Sequence, residues 1–331
     1  MIGAGFLVLA KAKNILQGYS SPKPFDISET ARCIEYDIDV VRCSFVARAF
    51  NTVFRVDAAD GSAYALRVSP DLRIHADGCE LAECEWLDAL RRDAGIDVPR
   101  VVRAEDGSVV VTASDAGVRG ARTCVLFEWV YGRPLRGQVN EELVRKVGAL
   151  TARVHEHGAA RRPAAVPAGV LVADRVCYFR AAPRLDELAP RYGSVLGEAV
   201  ERAQLVLDGL WRNPPQPPHL LHGDIQTGNV MVTRGRVTLI DFQDLIWGFE
   251  IQDALIALRG LEHSDGVPAL VRAFRAGYET VRSWPDADDA TVDALRAARH
   301  LNILNFGLSV GRPGLDEFVA RHAEPVVAWM A

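Results

Sequence analysis

In the stretch His219–Asp253 (HLLHGDIQTGNVMVTRGRVTLIDFQDLIWGFEIQD), His222, Gly223 and Asp224 stand in succession. Asn229 lies five residues beyond Asp224, and Ile240-Asp241-Phe242 closes a strand–turn–strand pattern. These residue types suit phosphoryl transfer. That chemistry needs an acceptor for the attacking hydroxyl's proton and hard oxygen ligands for Mg²⁺ between the phosphates. An aspartate opening a tight loop can face the hydroxyl, and an asparagine at the loop's end can lend an amide oxygen to Mg²⁺. The strand pair then returns Asp241 to the same metal. Taken singly, each of these residues reads as a turn former or a core filler; the ordered set carries the inference. Asp244 reads equally as a further metal or substrate contact and as an Asx turn. Asp253, twelve residues after Asp241, is expected to brace the loop from the next helix.

Other chemistries find no support. None of the four lysines (Lys11, Lys13, Lys23, Lys146) follows a glycine, so no P-loop can be written. There is no G-x-S-x-G elbow. His155-Glu156-His157 lacks the i, i+4 spacing of a zinc helix. Gly3-Ala-Gly5 lacks the preceding strand and third glycine of a dinucleotide turn. The six cysteines form no C-x-x-C pair and read as reduced, buried small hydrophobes.

At 331 residues the chain exceeds one typical domain, and 49% hydrophobic with 24% charged residues is the balance of a globular protein with a real core. The formal charge of −5 argues against a nucleic-acid clamp. All of that charge falls from His222 onward, where 15 acidic residues face 10 basic ones. An acidic cleft for a cationic substrate and a helical surface with surplus solvated carboxylates fit this equally. Met1–Ala10 is apolar, but its lysines follow the run, the wrong order for a secretory signal. No stretch reaches the 18 apolar residues of a spanning helix. A soluble, cytoplasmic protein without membrane or nucleic-acid partners is expected; oligomeric state is not legible.

The elements that must position the site divide in two. A helical segment (Phe6–Gln17, within residues 1–24) precedes a strand-rich half with Asp60-Gly61 as a hairpin turn. A helix is expected over Ala76–Arg92, with Leu81, Cys84, Leu87 and Leu90 on one face, then a hairpin of Arg100–Arg103 with Ser108–Thr112 and a buried strand Arg122–Val130. Helices dominate afterwards: from cap Asn140 to His157 with Gly158 as stop, Arg191–Trp211, and most of Gln252–Trp329. Strands Asn229–Thr233 and Val237–Ile240 flank Gly235. The expected class is α+β and bilobal: residues 1–130 form a small antiparallel sheet lobe with one main helix, and 131–331 a large, mostly helical lobe. Trp86, Trp129 and Trp211 read as core anchors, and Trp247 and Phe249 as packing under the loop. His263, His300 and His322 carry no constellation.

At these residues the chain resembles the aminoglycoside phosphotransferase/choline kinase-like family, small-molecule kinases of the protein-kinase-like fold, over roughly Asp39 to Trp284. The loop matches H-G-D-x-x-x-x-N, and Ile-Asp-Phe-x-Asp stands where protein kinases have D-F-G. The resemblance implies Asp224, with His222 beside it, as the catalytic centre, and Asn229 and Asp241 as Mg²⁺ ligands. In Phe127-Glu128-Trp129-Val130-Tyr131-Gly132 it implies the purine-gripping linker, through the Glu128 carbonyl and the Val130 N–H. Glu83 matches the helix glutamate that orients the phosphate-binding cation. That cation is Arg67 in place of lysine; it keeps the charge and can fork onto two oxygens. Ser44–Phe54 holds no glycine, so Ser44, Asn51 and backbone N–H groups would cover the phosphates.

The expected activity is ATP- or GTP- and Mg²⁺-dependent phosphorylation of a hydroxyl on an antibiotic or other secondary metabolite. A kinase of a primary metabolite (homoserine, choline, methylthioribose or an amino sugar) is the alternative. A nucleotide-binding pseudokinase scaffold is the alternative of another class.

Overall fold

The computed structural model describes residues 31–331 apart from 34–35, 71, 114–120, 162, 164 and 312–313. The expected helix Phe6–Gln17 lies outside the described residues. The chain forms two compact units. Among the described residues the first comprises those up to Arg73, Cys84–Asp88 and Pro99–Val130; the second comprises Ile74–Glu83, Ala89–Val98 and Tyr131–Ala331.

The first unit is an antiparallel sheet: β1 (Ala31–Cys33), β2 (Ile38–Arg48), β3 (Thr52–Ala58), β4 (Ala63–Val68), β5 (Val101–Val102), β6 (Val111–Ala113) and β7 (Arg122–Glu128). Their spatial order is β1-β2-β3-β4-β7-β5, with β6 also on β7. Strict alternation in β3 sends Thr52, Phe54, Val56 and Ala58 to the buried face. There Phe54, Val56 and Ala58 pack with Leu66, Val68, Cys124 and Leu126. The expected hairpin of Arg100–Arg103 with Ser108–Thr112 is corrected. The Asp106-Gly107 turn is present, with Ala104 N–H donating to Ser108 O at 2.8 Å. Val101–Val102 pairs with Phe127–Leu126 and Val111–Ala113 with Cys124–Arg122, so β5 and β6 lie end to end along β7. The buried run Arg122–Phe127 needs pairing on both sides, and that requirement outweighs local hairpin closure.

Helix α1 (Cys79–Ala94) begins three residues later than its spacing predicts, because the backbone at Gly78 is left-handed (φ 85°). Cys84, Leu87 and Leu90 are buried as expected, whereas Leu81 is exposed.

In the second unit, α2 (Glu141–Ala160) is capped by Asn140, whose side chain accepts from Leu143 N–H at 3.0 Å. Gly158 does not stop this helix. It lies inside it, where a Cβ would stand 2.2 Å from the Leu220 carbonyl oxygen, so the glycine serves close approach to the strand β10 (His219–Leu221). Two three-stranded sheets frame the loop that follows β10. One orders β10, β13 (Ile246–Gly248) and β9 (Leu171–Val172); the other orders β12 (Arg236–Leu239), β11 (Val230–Thr233) and β8 (Arg133–Pro134). The β11–β12 turn places Arg234 and Gly235 both at positive φ, the geometry that matches strand twist in a two-residue hairpin. The remaining helices are α3 (Val195–Arg212), α4 (Glu250–Arg259), α5 (Val267–Tyr278), α6 (Asp289–Val310) and α7 (Leu315–Met330), with a single helical turn at Ala189–Tyr192. Among the described residues no helix is long and apolar enough to cross a membrane.

Candidate active site

The loop from His222 to Asn229 is fixed from below. Asp253, fully buried in the first turn of α4, accepts from His222 N–H and Gly223 N–H, each at 3.0 Å. Its third partner is His155 Nε2 at 3.1 Å, and His155 Nδ1 meets the Tyr278 hydroxyl at 2.9 Å. That hydroxyl donates to Glu250, which also pairs with His219 and Arg282. Burial raises the pKa of the Asp253 carboxyl, but the hydrogen bond and charge of His155 outweigh it and hold the group below the usual range. His155 is therefore a strut for the loop and not a metal ligand. Gly223 (φ 81°) passes so close to Asp244 that a Cβ would stand 1.9 Å from its carbonyl oxygen.

With its backbone held, the loop presents Asp224. One carboxylate oxygen accepts from Asn229 Nδ2 at 2.7 Å and Gln226 Nε2 at 2.9 Å; the other accepts from Arg299 Nη2 at 2.8 Å. Burial raises the pKa of Asp224; Arg299 opposes this, Asp244 reinforces it, and the net shift is upward. His222 is wholly buried. Its Nδ1 accepts from Asp224 N–H at 3.2 Å and its ring packs on Phe242 at 4.2 Å, so it shapes the loop instead of facing a reactant.

Asn229 closes the loop, and its carbonyl accepts from Ile240 N–H at 2.9 Å. This backbone bond across the open end of the β11–β12 hairpin sets Asp241 beside the loop. Asp241 is exposed at φ 64°, a sparsely populated conformation for a side-chain-bearing residue. Its neighbour Phe242 is buried and donates its N–H to Glu83 Oε1 at 3.1 Å. Asn229 Nδ2 is held by Asp224, which turns Oδ1 the other way. Asn229 and Asp241 thus offer two hard oxygens, a set that fits Mg²⁺, which keeps phosphate and water ligands. Among the described residues no cluster of three or more His, Cys, Asp or Glu could hold a metal by itself. Asp244, left open by the sequence, is bonded to His75 Nε2 at 2.6 Å. Burial raises its pKa, but His75 outweighs that and the net shift is downward.

Of the residues expected to hold a nucleotide, Glu83 lies on α1 in the second unit, and the others lie on or beside the first unit's sheet. Arg67 on β4 lies between Val53 and Val125 in the ladder, is only 7% exposed, and stacks over Phe127 at 5.3 Å. A surface arginine would not be buried in this way. Ser44 on β2 accepts from Arg42 Nε at 3.0 Å, and Asn51 forms the β2–β3 turn. Trp129 N–H pairs with Ala63 O, and Glu128 N–H with Arg100 O. Strand alternation therefore turns the Glu128 carbonyl and Val130 N–H to the side away from Ala63. Trp86 is buried, and Trp211 packs on buried Phe249 at 4.9 Å.

Sequence reasoning missed Arg299, Gln226, Tyr178 and His75. It also dismissed His300 and His322, which are buried and meet Nδ1 to Nδ1 at 3.2 Å. One signal was available: Arg299 and His300 interrupt the apolar run Ala297-Ala298 and Leu301, and ionisable residues at buried positions are rare without a partner.

The chain belongs to the phosphotransferase enzyme family (APH), whose pattern it matches over residues 44–293. It is accordingly a phosphotransferase. Its fold is similar to that of an amicoumacin kinase solved with AMP-PNP, Ca²⁺ and Ami (20% identity, 86% of this chain and 87% of that one, TM-score 0.64). It is also similar to a microcompartment-associated aminopropanol kinase (24%, 89% and 92%, 0.66) and a spectinomycin phosphotransferase solved with ADP and spectinomycin (12%, 89% and 94%, 0.60). No curated protein sequence matches the chain.

Proposed function

We propose that Asp224 is the base that takes the acceptor's hydroxyl proton as the hydroxyl oxygen bonds to the γ-phosphorus of ATP or GTP. The bond from that phosphorus to the bridging oxygen breaks, and the nucleoside diphosphate leaves with the electron pair. The observation that carries this is the loop itself, with the Asp224 carboxylate held by Asn229, Gln226 and Arg299 and its backbone held by Asp253. Asn229 and Asp241 would hold Mg²⁺, which when bound neutralises charge on the phosphates. Glu83 fixes Phe242 and so the approach of Asp241. Arg67 supplies the cation for the phosphate chain, Ser44 and Asn51 cover it, and the Glu128 carbonyl and Val130 N–H grip the purine. His222 positions Asp224.

The acceptor is a hydroxyl of an antibiotic or other secondary metabolite, supported by fold relatives named for amicoumacin and spectinomycin. The aminopropanol kinase keeps a small metabolic alcohol as the second reading. A coupled assay with MgATP or MgGTP and a panel of both acceptor classes tests this, with Asp224→Asn as the blank. Turnover with one class that vanishes in the blank supports the assignment; full turnover in the blank removes Asp224 from its role.

Two substitutions separate the nucleotide contacts. Arg67→Ala is expected to raise the nucleotide KM by about tenfold or more, the scale of a lost charge-assisted hydrogen bond. An unchanged KM would show that another group holds the phosphates. Asp241→Ala is expected to make nucleotide binding indifferent to Mg²⁺, read by calorimetric titration with and without the metal.

A further inference from the structure

Arg299 and Asn302 lie one turn apart on α6, and both are buried (7% and 1% exposed). Arg299 donates to Asp224 Oδ1 and to the Tyr178 hydroxyl, while its Nε has no hydrogen-bond partner among the described residues. The same holds for both amide atoms of Asn302 and for Nε of Arg259, at the end of α4. The charge of Arg259 is felt at Arg299, His300 and His322. Burial first, then Arg259, push the two imidazoles down to about 4 and about 3, so neither carries charge at neutral pH.

Few carboxylates answer this charge. Asp244 is taken by His75, Glu262 is exposed, and Asp224 is the base itself. The acidic surplus of the last third faces outward: Asp286, Asp288, Asp289, Asp293, Glu317 and Glu324 are all exposed. Of the two sequence readings, the solvated surface fits these six carboxylates, while Arg299 brings a buried positive charge directly onto Asp224.

We propose that the phosphate acceptor carries an oxyanion, a carboxylate or phosphate group, and that Arg299 binds it. This rests on Asp224 being the base of the kinase reaction. A hydroxyl reaching for Asp224 competes with Arg299 for Oδ1. An acceptor bearing an ammonium group would add positive charge beside the buried guanidinium of Arg299 and the half-buried one of Arg259. An oxyanion gives the Arg299 fork a new partner in matching geometry and leaves Oδ1 to the hydroxyl.

Calorimetric titration of the full chain with MgADP present tests this, using three-carbon alcohols that differ in charge: glycerate, glycerol 3-phosphate, glycerol and 1-amino-2-propanol. One anion is expected to bind at least about tenfold tighter than glycerol, with the amine weakest. Which anion binds tighter identifies the oxyanion. Asp224→Asn should strengthen anion binding, because the guanidinium is no longer shared. Arg299→Gln should erase the preference, and Arg299→Lys should keep part of it, which covers misfolding of the glutamine variant. The proposal is overturned by tighter binding of the amine, by a preference that survives Arg299→Gln, or by no binding of any probe at millimolar concentration. A parallel MgATP titration judges the kinase assignment separately, since its failure would leave the charge preference to be read as before.

Discussion

Asp224→Asn is expected to lower turnover by about three orders of magnitude while nucleotide affinity changes less than about twofold. The amide keeps the shape of the carboxylate and can still accept from Asn229, so the loop retains its course. What disappears is the capacity to take a proton and the charge that faces Arg299. Steady-state turnover and direct nucleotide titration, run on the same preparation, separate these effects. Equal losses in both would indicate a disturbed loop and not a missing base. The upward shift of Asp224 adds a second check. The base must be ionised to work, so wild-type activity should fall in acid before that of an ordinary exposed aspartate would.

Asp253→Ala is expected to lower stability by about 3 kcal/mol, the scale for removing one partner of a buried charged pair. Two loop N–H groups and the ring of His155 lose their acceptor together. Spread over a chain of 331 residues, that corresponds to a fall of about 4 °C in melting temperature. Thermal unfolding followed by circular dichroism measures it, and a shift below 2 °C would show that water replaces the carboxylate. The sign with pH is fixed. The folded pKa of Asp253 lies below its unfolded value, so its contribution is complete above the ordinary carboxylate range and is lost as pH falls through the depressed value. The gap between wild type and variant should therefore narrow in acid.

How much of this was legible in the sequence follows from how local each cause is. The loop His222–Asn229, the hairpin carrying Asp241 and the brace at Asp253 announce themselves, because close sequence spacing fixes close approach. Asn140 as cap and the Asp60-Gly61 turn are equally local. Gly158 was misread as a stop because a glycine's reason for being small lay in Leu220, far along the chain. Arg299 was missed for the same cause: 75 residues separate it from Asp224, and no spacing rule reaches that far. The charge count left a cleft and a solvated surface equally open because composition carries no direction; the exposed carboxylates fit the solvated surface.

The paired hydrogen bonds that Asp253 accepts from the His222 and Gly223 amides carry a consequence for motion. A loop whose backbone hangs on a carboxylate inside α4, itself bonded to α2 through His155, opens only when that helix packing opens. The loop His222–Asn229 thus belongs, in its fluctuations, with the buried helix packing of the second unit and not with its surface loops. Whatever rearranges within each turnover must do so around Asp224 as a fixed post, with side chains such as that of Arg299 exchanging partners over a backbone that stays still.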